Sequence, residues 1–117
     1  MLIAAAIIIV GIGFAHSWLG ETKVLIPHYK RYDLKPGTKR VIRVSWHLLT
    51  LFWVAIAAQL FSMQLYPAHM SKSFMLIMTI AFGISTFVAL IASRGRHISW
   101  IGFGAATILL ACTAFHP

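Results

Sequence analysis

Four apolar runs, separated by three polar connections, form the pattern of this chain. The runs cover residues 2–19, 41–63, 74–92 and 98–115. Each run is long enough for a membrane-spanning helix, which needs about 17–25 mostly apolar residues. Short connections place consecutive helices antiparallel to one another. The pattern therefore predicts a single all-α domain over residues 1–117, an antiparallel bundle of four transmembrane helices.

The three connections differ in length and character. Residues 21–40 form a basic connector, in which residues 21–32 mix basic and apolar side chains, as is typical of a short segment that lies in the lipid headgroup region. Within the connector, residues 34–37 predict a turn, because Pro presets one corner and Gly accepts a positive φ. The other two connections are short, and each contains a helix-breaking residue, Pro67 or Gly95.

The composition is that of a membrane protein. Hydrophobic residues make up 60% of the chain and charged residues 10%, whereas soluble domains carry about 25% charged residues. The net charge of +8 lies mainly in the connections, so it favours anionic lipid headgroups as partners and argues against nucleic acid. The single cysteine, Cys112, excludes an intrachain disulfide and a multi-cysteine metal site.

The distribution of basic residues predicts the orientation. No basic residue precedes Lys23, so the first run lacks the basic start of a signal peptide and is expected to stay as a membrane helix. Nine Lys and Arg residues lie in or beside the first and third connections, against one, Lys72, in the second. Because Lys and Arg accumulate on the cytoplasmic side, we predict a multi-pass bacterial inner-membrane protein with both termini periplasmic and the connector 21–40 cytoplasmic.

Small residues recur at helical spacing within three of the runs. Such stripes let two helix backbones approach closely and predict helix–helix contacts. The stripes are Gly13/Gly20, Thr79/Gly83/Thr86 and Gly102/Ala106. Gln59, a polar residue inside the second run, is also predicted to hydrogen-bond to a neighbouring helix.

Four polar side chains fall near the cytoplasmic ends of the runs, namely His16, Glu21, His47 and His97. Ionisable groups in a membrane face the bundle interior, and antiparallel neighbours should bring His16 and His47 to a similar depth. Two neutral imidazoles can ligate a haem iron or a divalent metal, and Glu21 and His97 would complete a zinc-type site. The alternatives are that the histidines hydrogen-bond to neighbouring helices and tie them together, or that they relay protons.

Three basic residues at the start of the second run, Lys39, Arg40 and Arg43, predict a site for lipid headgroups. Arg43 lies near the interface, where its long side chain can reach lipid phosphate. An alternative partner for Arg43 is Glu21, the acid closest to the membrane on that side. A further alternative is an anionic substrate.

Two short segments carry a resemblance, His16-Ser17-Trp18-Leu19-Gly20-Glu21 and Arg43-Val44-Ser45-Trp46-His47. They are similar to a pattern of small four-span bacterial membrane proteins of unknown function, H-S-x-x-G-E in the first span and R-x-x-W-H in the second. The resemblance covers the first half of the chain and implies no activity. In length and span number the chain also resembles the small multidrug-resistance transporters, but it lacks their glutamate midway along the first span.

The sequence offers no set of catalytic residues and no Cys-x-x-Cys or His-Glu-x-x-His motif. The leading interpretation is therefore a small non-enzymatic inner-membrane protein, either an accessory subunit of a larger membrane complex or a self-associating bundle, a homo-oligomer. The first alternative is a haem- or metal-binding membrane protein that uses His16 and His47. The second is a small transporter, although the runs lack the mid-membrane carboxylate that proton coupling needs.

Overall fold

The computed structural model describes residues 1–115, and within them the chain is entirely helical apart from short connections. Helix α1, Leu2–Leu19, continues through a π-helical turn, Gly20–Leu25, into the short helix α2, Ile26–Arg31. The remaining helices are α3, Pro36–Leu65, α4, Lys72–Ser93, and α5, Ser99–Phe115, with a 3₁₀ turn, Pro67–His69, between α3 and α4. The predicted all-α fold class is confirmed.

The helices have the length and polarity of membrane spans. Among residues 1–115, three helical stretches are long and apolar enough to cross a membrane, namely Leu2–Arg31, Pro36–Leu65 and Lys72–Ser93. The fourth helix, α5, is apolar but shorter. Large apolar side chains such as Ile77, Ile80 and Ile84 lie exposed on the outer face of α4. An apolar outer surface of this kind suits a multi-pass membrane protein, because lipid is the surrounding solvent.

The four long helices pack in the order α3, α1, α5, α4. Antiparallel packing of α1 on α3 follows from two contacts, since Gly13 faces Trp53 while Gly20, further along α1, faces Trp46. Helices α3 and α4 are consecutive in the chain, yet they flank the arrangement and pack mainly against α1 and α5. The outer face of each flanking helix therefore has no partner helix among residues 1–115.

The buried core lies toward the end of the bundle that carries the α3–α4 connection. Ile9 of α1, Leu60 of α3 and Leu110 of α5 are fully buried there. They form one cluster with other apolar residues of all four long helices, namely Leu2, Ala5, Ala6, Ala57, Met63, Met75, Phe82, Ala106 and Ala114. Because the core occupies this end, the opposite end of the bundle, where α1 meets the starts of α3 and α5, is more open.

The predicted small-residue stripes lie at helix–helix contacts. A Cβ added to Gly83 would lie 3.6 Å from Thr107 Cγ2 across the α4–α5 contact. A Cβ added to Gly102 would lie 3.1 Å from Ile12 Cγ1 across the α1–α5 contact. Ala106 is completely buried. The Thr79 hydroxyl instead donates to the Met75 carbonyl of its own helix, at 2.8 Å.

Two details of the first connection differ from the sequence-based prediction. Residues 21–31 form no separate segment, because the helix of the first run continues through them without a break. The turn predicted at residues 34–37 is wrong for Pro36 and Gly37, which both belong to α3. Pro36 lies in the first turn of α3, where its fixed φ suits a helix and its missing N–H costs no hydrogen bond. The chain reverses at residues 32–35 instead.

Candidate functional site

Four polar side chains meet between α1 and α3 near the open end of the bundle, and we call Ser17, Glu21, Arg43 and His47 the polar cluster. Ser17 and Glu21 lie four residues apart on the α1 side, and Arg43 and His47 lie four residues apart on α3, so each pair shares one helical face. The Arg43 guanidinium donates to both carboxylate oxygens of Glu21, with Nε 3.2 Å from Oε2. The pair is the bidentate arrangement typical of arginine and carboxylate.

The hydrogen bonds of His47 determine its tautomer. Its Nε2 lies 3.2 Å from Glu21 Oε2, and because a carboxylate only accepts, Nε2 must donate the proton. In the neutral imidazole, Nδ1 is then an acceptor for the Ser17 hydroxyl, whose Oγ lies 2.5 Å away. Every polar side chain of the cluster therefore has a partner inside the cluster, and the four together join α1 to α3.

Beside the polar cluster, the first helix has a glycine, Gly20, and changes from an α-helix to a π-helix. Gly20 lies against the indole ring of Trp46, and a Cβ at that position would overlap the ring. The Trp46 indole N–H donates to the His16 carbonyl over 3.2 Å. The π-helical turn begins at Gly20 and contains Glu21. Single π turns within α-helices occur often at functional sites, because they rotate the following residues relative to a regular helix.

His16 lies outside the polar cluster. Its ring stacks on the Trp46 indole, with ring centroids 4.6 Å apart and 6° between the planes. The ring also meets Trp53 edge-on, with centroids 4.9 Å apart. Its Nε2 atom is buried and has no hydrogen-bond partner among the described residues. An unpaired imidazole nitrogen in an apolar environment is costly, and residues 1–115 leave this hydrogen-bonding capacity of His16 unmet.

The side of α1 that carries His16 borders a large opening, which we call the lateral cleft. It lies between α1, the first half of α3 and the start of α5, and its volume is about 860 Å³. Its walls are mainly apolar and include Ile12, Trp46, Trp53 and Phe103. Small-molecule sites typically have about 300–1,000 Å³ and apolar walls with a few polar groups. The lateral cleft has the size and lining of a ligand site.

The structure separates the residues predicted as metal or haem ligands. Glu21 and His47 are together in the polar cluster, whereas His16 and His97 line the lateral cleft. Within residues 1–115, His, Cys, Asp and Glu side chains form no group of three or more that could hold a metal ion. Both ring nitrogens of His47 are occupied by Ser17 and Glu21. His47 therefore has no lone pair directed at a haem or a metal that His16 could share.

The three predicted lipid-headgroup residues lie close together. Lys39, Arg40 and Arg43 all line a smaller hollow of about 340 Å³ beside Tyr29. Of the three, Arg43 also pairs with Glu21, which the sequence analysis gave as its alternative partner. The Tyr29 hydroxyl donates to the Lys39 carbonyl over 3.0 Å and so ties α2 to the start of α3.

Sequence reasoning assigned no role to Ser17, and it placed Trp46 in an aromatic belt at the membrane surface without predicting its contacts with His16 and Gly20. The signal was present in the spacing, because Ser17 and Glu21 are four residues apart, as are His16 and Gly20, on adjacent faces of one helix. The first pair lies in the polar cluster, and the second contacts Trp46.

Fold and site together define a class, that of multi-pass helical membrane proteins with a polar cluster between two helices and a lateral cleft. No protein-family model, curated protein or solved structure matches this chain. The resemblance to small four-span bacterial membrane proteins stays a prediction.

Proposed function

We propose that this chain is a small, non-enzymatic protein of the bacterial inner membrane, an accessory protein that works as a self-associating bundle. The observation that carries the proposal is Gln59 on α3. Its side chain is exposed on the flank of the bundle, and no side-chain hydrogen bond to it is found within residues 1–115. Amides inside membrane helices form hydrogen bonds across helix–helix contacts, and a second copy of α3 supplies such a partner.

The surroundings of Gln59 favour close approach of another helix. Ala55 and Ser62 lie four and three residues from Gln59, on the same side of α3, and Ala58 is the neighbour of Gln59 in the chain, about 100° around the helix. Ala58 and Ser62 form a small-xxx-small pair, which lets helix backbones approach in a membrane. In a two-fold symmetric dimer the same face serves both copies, so each Gln59 amide donates to and accepts from its counterpart.

The polar cluster supports the non-enzymatic part of the proposal. A general acid, a general base or a nucleophile must be able to reach a substrate. Glu21, His47 and Ser17 use their polar atoms on one another and on Arg43. The cluster thus has the arrangement of side chains that hold two helices together by hydrogen bonds. The excess of Lys and Arg in the first and third connections supports a cytoplasmic position for residues 32–35 and periplasmic termini.

Disulfide crosslinking in native membranes tests the self-association. In a Cys112→Ala background, we expect Ala58→Cys to give a crosslinked dimer, whereas Ile80→Cys, on the outer face of α4, should give little. Adding Gln59→Leu should reduce the crosslink several-fold. Gln64→Leu is the matched control, because Gln64 is exposed on α3 but points about 140° away from Gln59.

Two results would contradict the proposal. One is equal crosslinking at Ala58→Cys and Ile80→Cys, which would indicate random collision. The other is Ala58→Cys crosslinked only to a different protein, which would replace self-association by a partner subunit.

A further inference from the structure

The lateral cleft is elongated. Its α1 wall runs from Ile8 to Val24, which corresponds to roughly 24 Å at the rise of a helix. Its volume of about 860 Å³ lies within the range of about 300–1,000 Å³ that is typical of small-molecule sites. A long, mainly apolar opening of this kind suits acyl chains.

The polarity of the cleft changes along its length. Ile8 and Ile12 line the part within the membrane span, while Lys23 and His97 line the end beyond it. No Asp or Glu is among the described residues that line the cleft. An occupant with an apolar chain and an anionic head matches this gradient, because its charge would meet Lys23 without an opposing carboxylate.

His97 has a donor available at the same end. The Ser99 backbone N–H donates to His97 Nδ1 over 3.2 Å, so Nδ1 is an acceptor and the neutral ring carries its proton on Nε2. The Ser99 hydroxyl lies 2.8 Å from the same Nδ1. Nε2–H thus remains as the hydrogen-bond donor of the neutral His97 ring, in a residue that lines the same cleft as Lys23.

His16 supplies a second polar position, deeper in the cleft. It lies seven residues before Lys23 on the same wall, about two helical turns further from the basic end. Its unpaired Nε2 is buried at a depth where free water is scarce. An ester carbonyl below a charged headgroup lies at a comparable depth and would satisfy this nitrogen.

We propose that the lateral cleft is a binding site for one anionic phospholipid. The phosphate contacts Lys23 and His97, an ester carbonyl accepts a hydrogen bond from His16 Nε2, and the acyl chains lie along α1 toward Ile8. The site differs from the face of Gln59, so it can exist with or without self-association. It also differs from the predicted headgroup residues Lys39, Arg40 and Arg43.

Native mass spectrometry of the full chain in mild detergent tests the site with phosphatidylglycerol and phosphatidylcholine of identical acyl chains. We expect one phosphatidylglycerol per chain, retained in preference to phosphatidylcholine. Lys23→Gln should weaken retention about fivefold, the effect of one basic residue near a membrane surface. Lys30→Gln, at an exposed residue of α2 outside the cleft, is the matched control.

A cleft-filling variant tests the chain-binding part. Gly11 lines the cleft, and a Cβ there would meet nothing within 4 Å, so Gly11→Leu should displace the lipid while the helical content stays normal. If Gly11→Leu does not fold, His16→Leu replaces it, with loss of retention as the expected result. Equal retention of both lipids, or unchanged retention in Lys23→Gln and in the cleft variant, would overturn the proposal. So would a neutral amphiphile bound in place of the phospholipid.

Discussion

At the residue scale, the site depends on complementary hydrogen bonding among a few side chains. Glu21 accepts from Arg43 and from His47, and His47 accepts in turn from Ser17. In a membrane, a polar side chain left without a partner has little water to replace it. The four residues of the polar cluster therefore depend on one another. Removing one side chain leaves another without its hydrogen-bond partner and should destabilise the contact between α1 and α3.

The contact between Gly20 and Trp46 gives the sharpest prediction at this scale. Gly20→Ala should lower the free energy of unfolding by about 1–3 kcal/mol, because the added methyl group overlaps the indole and forces α1 from α3. Gly11→Ala adds the same group to the same helix in open space, so its melting temperature should be unchanged or slightly higher. Thermal melts in detergent compare the two, and equal effects would contradict the contact.

His47 gives a second residue-scale prediction. His47→Gln should keep much of the stability, because an amide can still donate to Glu21, whereas His47→Leu removes both bonds. Interhelical hydrogen bonds in membranes contribute about 0.6 kcal/mol on average and at most about 1.7. We expect each hydrogen bond of His47 to contribute toward the lower end of this range, because the His47 side chain is 39% exposed. Chemical or thermal unfolding measures the difference, and a more damaging effect of Gln than of Leu would contradict the tie.

At the element scale, the helix type determines the direction of Glu21, and local signals at the helix ends determine the bounds of α4. The π-helical turn at Gly20–Leu25 joins α1 to α2 without a break, and it positions Glu21 facing α3. Helix α4 ends at Ser93, and the two residues that follow it, Arg94 and Gly95, both have positive φ, 51° and 73°. Its start is capped by the Ser71 hydroxyl, which accepts from the Phe74 N–H over 3.2 Å.

The α4–α5 contact supplies the prediction at the element scale. Gly83→Leu should destabilise the bundle, because Gly83 faces Thr107 and a leucine there must separate the two helices. Ile84→Leu places the same side chain on the exposed face next to it and should leave the melting temperature within a degree or two. Equal melting temperatures for the two variants would contradict the stripe as a packing surface.

Hydropathy and periodicity predicted most elements from the sequence. The first run matches α1 residue for residue, because apolar length alone determines a membrane span. The continuation through residues 20–31 could not be predicted, since the polar and basic residues there suit an interfacial segment equally well. The chain reversal was predicted at the wrong residues because Pro36 is compatible both with a β-turn and with the first turn of an α-helix. Which neighbours His16 and His47 contact depends on helix rotation, and spacing within one helix does not determine it.

At the scale of the whole molecule, the described residues extend over 54 × 29 × 19 Å. The helix order α3, α1, α5, α4 leaves α3 and α4 on the flanks, with Gln59 on one of them. The lateral cleft opens between α1, α3 and α5. This shape provides two separate surfaces, one suited to another copy of the chain and the other to a lipid.

Orientation is the prediction at this scale. In a Cys112→Ala background, a membrane-impermeant maleimide added to intact bacterial cells with a permeable outer membrane should label Ala68→Cys, in the 3₁₀ turn. It should not label Thr38→Cys, near the start of α3, until the inner membrane is opened. The reason is the excess of nine Lys and Arg residues against one on the Thr38 side. The reverse labelling pattern would contradict periplasmic termini.

The central claim is that the polar residues singled out by the sequence tie α1 to α3, and a double-mutant cycle on Glu21 and Arg43 tests it most directly. The melting temperature in detergent is measured for Glu21→Gln, Arg43→Gln and the double variant, with Lys30→Gln as an exposed control. We predict that Arg43→Gln is destabilised because it leaves the Glu21 charge without its main partner, and that the double variant melts at or above Arg43→Gln. Strictly additive losses, or no loss in any of the three variants, would contradict the claim.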